Sequence, residues 1–125
     1  MIKKAPPKKI LLVDDDPDIR DTIQAAFESR GFDTILAQDG NQGLALAEVE
    51  EPDLVVLDMM MPKRSGFLVL ERIRQKFGKP MPVIMITANE GTRHRAYAEM
   101  LGVHQYLRKP FPMDQLLDCV EEVLN

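Results

Sequence analysis

Five short, uninterrupted apolar runs recur along the chain, and they constrain its fold more than any other feature: "ILLV" at 10–13, "TILA" at 34–37, "LVVL" at 54–57, "VIMI" at 83–86 and "QYL" at 105–107. Each is too short to be a helix. Being continuous rather than alternating, they read as strands buried on both faces of a sheet. Between them lie segments with helical spacing. The first carries Ile19, Ile23, Ala26 and Phe27, with Asp16 as N-cap, Pro17 at the first helical position and Gly31 as the stop. The second runs from about Asn41 to Glu50, the third through Leu68, Leu70, Ile73 and Phe77 to a stop at Gly78, and the fourth from about Thr92 to Leu101, closing at Gly102. The last places Met113, Leu116, Leu117, Val120 and Leu124 on one stripe. Strands joined through helices must run parallel, and right-handed crossovers wind such a sheet into an α/β sandwich.

A length of 125 residues suits one domain with one real core. No apolar stretch approaches the ~20 residues that span a bilayer. The opening "MIKKAPPKK" lacks the apolar segment of a secretory signal, and the single Cys119 excludes an internal disulfide. Together these features lead us to expect a cytoplasmic protein without a membrane partner. Cys119 falls within an apolar-periodic helix and reads as a buried structural thiol. Net charge is −4, but Lys3, Lys4, Lys8 and Lys9 are unopposed by any acid in the first nine residues, so the remainder carries −8. That acidic body argues against direct nucleic-acid binding. Residues 1–8 read as a basic, flexible leader and 9–125 as the domain.

In an open parallel sheet, ligands sit beyond the carboxyl ends of the strands. Here strand 1 is followed by Asp14, Asp15 and Asp16, strand 3 delivers Asp58, strand 4 delivers Thr87 and strand 5 delivers Lys109. Adjacent carboxylates repel one another, a cost that a cation among them offsets. Oxygen ligands without His or Cys favour a hard cation such as Mg²⁺, which typically takes one or two carboxylates plus a phosphate oxygen. A hydroxyl and an amine on the same edge suit the anionic oxygens of a phosphoryl group. The set reads as a phosphoryl site in which one carboxylate is the acceptor. Taken singly, Asp16 is simply a helix cap, Asp14 or Asp15 a turn residue, and Lys109 a solvated lysine. His94 and His104 have no metal-ligand partner at suitable spacing and are assigned to no site.

From about Lys9 to Leu124 the chain resembles a response-regulator receiver domain of two-component signalling, on the ordered motifs "LLVDDDP", "DLVVLDMMMPKRSG", "VIMITA" and "YLRKPF". The resemblance implies a flavodoxin-like, doubly wound five-stranded parallel sheet in order 2-1-3-4-5 flanked by five helices. It implies that Asp58 accepts a phosphoryl group from a phosphohistidine of a histidine kinase or phosphotransfer domain. Asp15 would bind Mg²⁺ (or Mn²⁺) directly and Asp14 mostly through water, with Asp58 and the backbone carbonyl of Met60 completing the ligands. Lys109 would contact a phosphoryl oxygen, Thr87 would close over it, and Tyr106 would be the aromatic switch that moves inward. Lys109–Pro110 would be cis, Met61 and Pro62 would form a turn, and Gly66 would allow the bend before helix 3. Met60 and Asn89 match positions that affect dephosphorylation. The altered surface would be helix 4, strand 5 and helix 5, including Arg93, His94, Tyr97, His104, Tyr106 and Arg108, offered to a downstream protein. Such a domain is a switch with self-phosphotransfer and autodephosphorylation rather than an enzyme with a separate substrate, and a monomer or a phosphorylation-dependent dimer.

Two other readings compete. A haloacid-dehalogenase-type Mg²⁺ phosphohydrolase would use Asp14 as nucleophile and Asp16 as acid/base, although Pro17 departs from that pattern and Asp58 would go unexplained. A phosphorylation-independent interaction module would keep the fold and use its surface alone.

Overall fold

The structure, a computed structural model, describes residues 6–59, 66–78, 80–87 and 92–124, and for 92–94 the backbone alone. Strand and helix alternate as the apolar runs predict: β1 Lys9–Val13, α1 Pro17–Ser29, β2 Asp33–Ala37, α2 Gly40–Glu50, β3 Leu54–Asp58, α3 Gly66–Phe77, β4 Val83–Thr87, α4 Thr92–Met100, β5 Gln105–Arg108 and α5 Met113–Leu124. The five strands form one parallel sheet in the order β2-β1-β3-β4-β5, matching the expected topology.

Successive residues of a strand face opposite sides, so a continuous apolar run supplies two cores at once. On one side, Ile10, Leu12, Leu54, Val56, Ile84 and Ile86 pack against Ile23 and Phe27 of α1 and Leu116, Leu117 and Val120 of α5. On the other, Leu11, Val13, Val55, Leu57, Val83 and Met85 meet Ala47 of α2, Val69, Leu70 and Ile73 of α3, and Ala98 of α4. Each fully buried Leu, Ile or Val contributes about 1.5–3 kcal/mol through removal from water. That burial, rather than helix propensity, holds the helices in place.

Pro6, Pro7 and Lys8 are exposed, and residues 1–5 of the expected leader lie outside the described residues. Lys9 already belongs to the fold: its amide donates to Asp53 Oδ2 at 2.8 Å and its ammonium to the Glu50 carbonyl at 3.0 Å. Strand register fixes where chemistry can gather. Val13 lies level with Leu57, Asp58 with Ile86, and Thr87 with Arg108, so the residues ending β1, β3, β4 and β5 share one edge of the sheet.

Candidate phosphoryl and metal site

The three consecutive acids after β1 divide into separate roles. The Asp16 carboxylate caps α1, accepting from the amides of Asp18 at 2.9 Å and Ile19 at 3.3 Å. Asp15 is exposed at the rim. Asp14 turns inward and is 1 % exposed. Its Oδ1 accepts from the Asp16 amide at 2.9 Å, while its Oδ2 is buried with no hydrogen-bond partner. Its carbonyl accepts from Arg20 Nη1 at 2.9 Å, which ties the acidic loop to α1. With Asp16 committed to the cap, the second carboxylate required by the dehalogenase-type reading is already engaged.

Asp58 ends β3 and is 5 % exposed. The following residue is tightly held: the Met59 amide donates to the Ile86 carbonyl at 2.9 Å, and its own carbonyl accepts from the Gly66 amide at 2.8 Å. A Cβ on Gly66 would lie 2.5 Å from the Asp58 carbonyl oxygen and 2.6 Å from Met59 Cα. Glycine is therefore required by the close approach of α3 to the backbone of Asp58 and Met59. Met60, Met61, Pro62 and Asn89, with their expected roles, lie outside the described residues.

Lys109 reaches the same place from the far side of the sheet. Its amide donates to the Thr87 carbonyl at 2.7 Å, and the Lys109–Pro110 bond is cis as the resemblance implied. Its ammonium lies 3.5 Å from Asp58 Oδ2 and 3.7 Å from Asp14 Oδ2. Those distances bring ionic attraction but exceed the 2.7–3.2 Å range of a formed hydrogen bond. Thr87 is fully buried at the end of β4. The expected Asp14, Asp58 and Lys109 thus converge, with Asp15 at the mouth and Thr87 joined to Lys109 through its carbonyl.

One carboxylate oxygen each from Asp14, Asp15 and Asp58 lie within 4.8 Å of one another. Oxygens on opposite sides of an Mg²⁺ ion are about 4.2 Å apart, given bonds of roughly 2.1 Å. The spacing therefore suits such an ion after small side-chain movement. The buried, unbonded Asp14 Oδ2 points the same way, because an unsatisfied buried oxygen costs about 1–3 kcal/mol that a cation would recover.

Tyr106 on β5 is half-buried, and its hydroxyl lies 3.8 Å from Met59 Sδ. Burial pushes the phenol above its ordinary pKa, while a hydrogen bond with Thr87 and the nearby Arg95 charge pull it down. The Arg95 guanidinium stands 6.0 Å from the Tyr106 ring centre. Of the expected output surface, His104 and Arg108 are exposed, the exposed Tyr97 hydroxyl donates to Glu71, and the side chains of Arg93 and His94 lie outside the described residues. Two contributors escaped the sequence reading. Met59 offers only a sulfur contact, which nothing in its residue type signals, and Arg20 acts on a backbone carbonyl. Beside the acids, Ile19, Thr22, Lys109, Pro110, Phe111 and Met113 border a largely apolar groove of about 420 Å³ between α1 and the start of α5.

A family model described as "Response regulator receiver domain" matches residues 10–121. The response regulator MprA of Mycolicibacterium vanbaalenii is 37 % identical over 119 residues, which cover 95 % of this chain and 51 % of that protein. The alkaline phosphatase synthesis transcriptional regulatory protein PhoP of Bacillus subtilis is 40 % identical, covering 94 % of this chain and 49 % of its own length. The chain thus spans about half the length of these relatives. A CheY-like receiver domain protein from Methanospirillum hungatei superposes with a TM-score of 0.90 at 30 % identity, covering 94 % of each chain. The response regulator TrrA from Thermotoga maritima, solved in complex with Mg²⁺-BeF, gives a TM-score of 0.84 at 32 % identity, covering 94 % of this chain and 99 % of its own.

Proposed function

Because the chain belongs to the response-regulator receiver-domain family, we propose that it is a phosphorylation switch whose acceptor is Asp58. In this reading an Asp58 oxygen attacks phosphorus in line. The new O–P bond forms as the P–N bond to the donor imidazole breaks, and the electron pair leaves with the imidazole. Lys109 lies where negative charge accumulates on the phosphoryl oxygens, and Thr87 supplies a hydroxyl to one of them. Little covalent work is left to the protein, so positioning and electrostatics carry the step. Asp14, Asp15 and Asp58, with the Met60 carbonyl, would hold Mg²⁺, which when bound neutralises charge on the transferring group.

The observation that carries this reading is the Lys109 ammonium standing 3.5 and 3.7 Å from two buried carboxylates on neighbouring strands. A purely structural ion pair would not need two acids, and one acid would not need an unbonded inward oxygen. Phosphorylation adds charge and acceptor oxygens that Thr87 and Lys109 meet only in that state, and such differential contact is what shifts a two-state equilibrium. Moving from mostly off to mostly on takes about 5.5 kcal/mol, so the two states must lie close in energy beforehand.

A donor that presents phosphohistidine to Asp58 has to cover the strand ends, and the groove lined by Ile19, Thr22 and Phe111 adjoins them at Lys109. We assign this groove to the apolar face of a histidine kinase or phosphotransfer helix, and the α4–β5–α5 face to a downstream protein.

The test is chemical. Protein is treated with acetyl phosphate and Mg²⁺, and the acyl phosphate is mapped by borohydride reduction and peptide mass. Label at Asp58, absent from Asp58→Asn, is expected. Label at Asp14 with continuing turnover would favour the hydrolase, and no label at all would favour the phosphorylation-independent module.

A further inference from the structure

Helix α4 is thinly attached to the rest of the molecule. Among its described side chains only Ala98 is buried, while Tyr97 is 37 % and Met100 69 % exposed. Its end is nevertheless well formed. Gly102, at φ +80°, donates to the Glu99 carbonyl at 3.0 Å, and Val103 donates to the Ala98 carbonyl at 3.2 Å. This is the left-handed glycine stop common at helix ends. Arg74 of α3 takes two further carbonyls of this turn. Its Nε donates to Leu101 O at 2.6 Å and its Nη2 to Gly102 O at 2.8 Å. The same guanidinium donates through Nη1 to Gly78 O at 2.8 Å and Met81 O at 2.7 Å. One planar group therefore fastens the ends of α3 and α4 and the chain entering β4.

These four acceptors are all main-chain carbonyls, two of them at the negative end of α4, where a cation is favoured. A lysine has neither the donors nor the fixed fork to replace it. A second tie between α3 and α4 is of a different kind. The Tyr97 hydroxyl donates to Glu71 in an exposed contact, and its ring meets the partly buried Phe67 edge-on at 5.4 Å. A single exposed contact to a carboxylate exchanges readily with water, whereas a part-buried fourfold clamp does not. The opposite end of α4 follows Thr87 in the chain, where the switch would act.

We propose that Arg74 is the fulcrum of α4: the helix answers phosphorylation by swinging about its pinned C-terminal end, with the Tyr97–Glu71 contact as the part that breaks and remakes. Arg74 is in this sense a positioning residue, and the Leu101–Val103 turn stays fixed to α3. The inference rests on Asp58 being phosphorylated, so its test reads that step separately.

The chain is saturated with Mg²⁺ and fluoroberyllate, and bound fluoride is observed by fluorine NMR. Amide hydrogen exchange and chemical shifts are then followed residue by residue. With fluoroberyllate bound, amides of Arg95–Ala98 are expected to change exchange by about tenfold while those of Leu101–Val103 change less than about twofold. In Arg74→Lys, which leaves the acidic pocket intact, exchange at Gly102 and Val103 is expected to rise about tenfold even before the mimic is added, with β3 amides still protected. In Tyr97→Phe, the Arg95–Ala98 amides are expected to exchange faster in the unbound state, and Leu101–Val103 to stay as in the parent chain. A response spread evenly through Arg95–Val103 in the parent chain would overturn the fulcrum, as would unchanged exchange at Gly102 in Arg74→Lys. The parent-chain comparison decides the matter alone if Arg74→Lys does not fold. Absence of bound fluoride would instead count against the phosphorylation switch.

Discussion

At the scale of single residues, Asp14 divides its two oxygens between structure and chemistry: Oδ1 takes the Asp16 amide, and Oδ2 lies 3.7 Å from the Lys109 ammonium with no hydrogen bond. Tyr106 is balanced in a comparable way between apolar burial and polar contact. Its burial favours the neutral phenol, while Thr87 and Arg95 favour the phenolate, and burial dominates. Since the folded pKa is raised, the phenol's contribution to stability is complete below its unfolded pKa, near 10, and is lost as pH climbs towards the folded value. Tyr97 also titrates high, chiefly through its bond to Glu71, so the measurement is made in Tyr97→Phe. Near-ultraviolet absorbance should then show one phenol ionising above the usual tyrosine range. Thr87→Ala should move that midpoint further up, because it deletes a contact that lowers it, and Arg95→Ala should do the same. An unmoved midpoint in Thr87→Ala would mean that Tyr106 and Thr87 are not in contact. In the proposed switch, a Thr87 drawn towards a phosphoryl oxygen would have to release or drag the tyrosine.

Among the elements, the groove between α1 and the start of α5 makes a prediction that separates two kinds of phosphate donor. Phe111→Ala removes apolar surface from the groove wall without touching a carboxylate or the ammonium. Phosphorylation by a protein phosphohistidine should slow by about tenfold, the equivalent of about 1.4 kcal/mol of lost apolar contact. Labelling by acetyl phosphate, which needs no docking, should be unchanged. Equal slowing with both donors would place the damage in the pocket itself. The same elements show what could be read from sequence. Helix α1 is legible because cap, proline and apolar spacing agree, α5 because of its apolar stripe, and the strand ends name Asp14, Asp58, Thr87 and Lys109 because parallel topology gathers carboxyl ends on one edge. Gly66 was legible as a glycine but for a different reason: a bend was expected, whereas the backbone of Asp58 and Met59 lies too close for any side chain. Arg74 was not legible, since its acceptors are carbonyls at residues 78, 81, 101 and 102, groups that every residue carries. Backbone acceptors leave no trace in side-chain pattern.

For the molecule as a whole, the acidic pocket sets a tension between stability and function. Two sheet-end carboxylates are held nearly dry close to a third, with one ammonium, 23 % exposed, placed between two of them. Like charges at about 4 Å repel by roughly 4 kcal/mol at the effective dielectric of a protein surface, and Lys109 cancels only part of it. A cation bound by the native pocket and not by the unfolded chain therefore stabilises the entire domain, by about 2.7 kcal/mol at a hundred times its dissociation constant. For a chain of this size, that is a rise in melting temperature on the order of 10 °C. Thermal unfolding with Mg²⁺ against excess chelator should show the rise in the parent chain. Asp14→Asn should abolish it. With chelator present, the same variant should melt no lower than the parent, because it removes repulsion along with charge. A variant that instead lost stability without metal would show that Asp14 holds the fold chiefly through its pair with Lys109. In that case the buried acids would be a structural ion pair first and a cation site second.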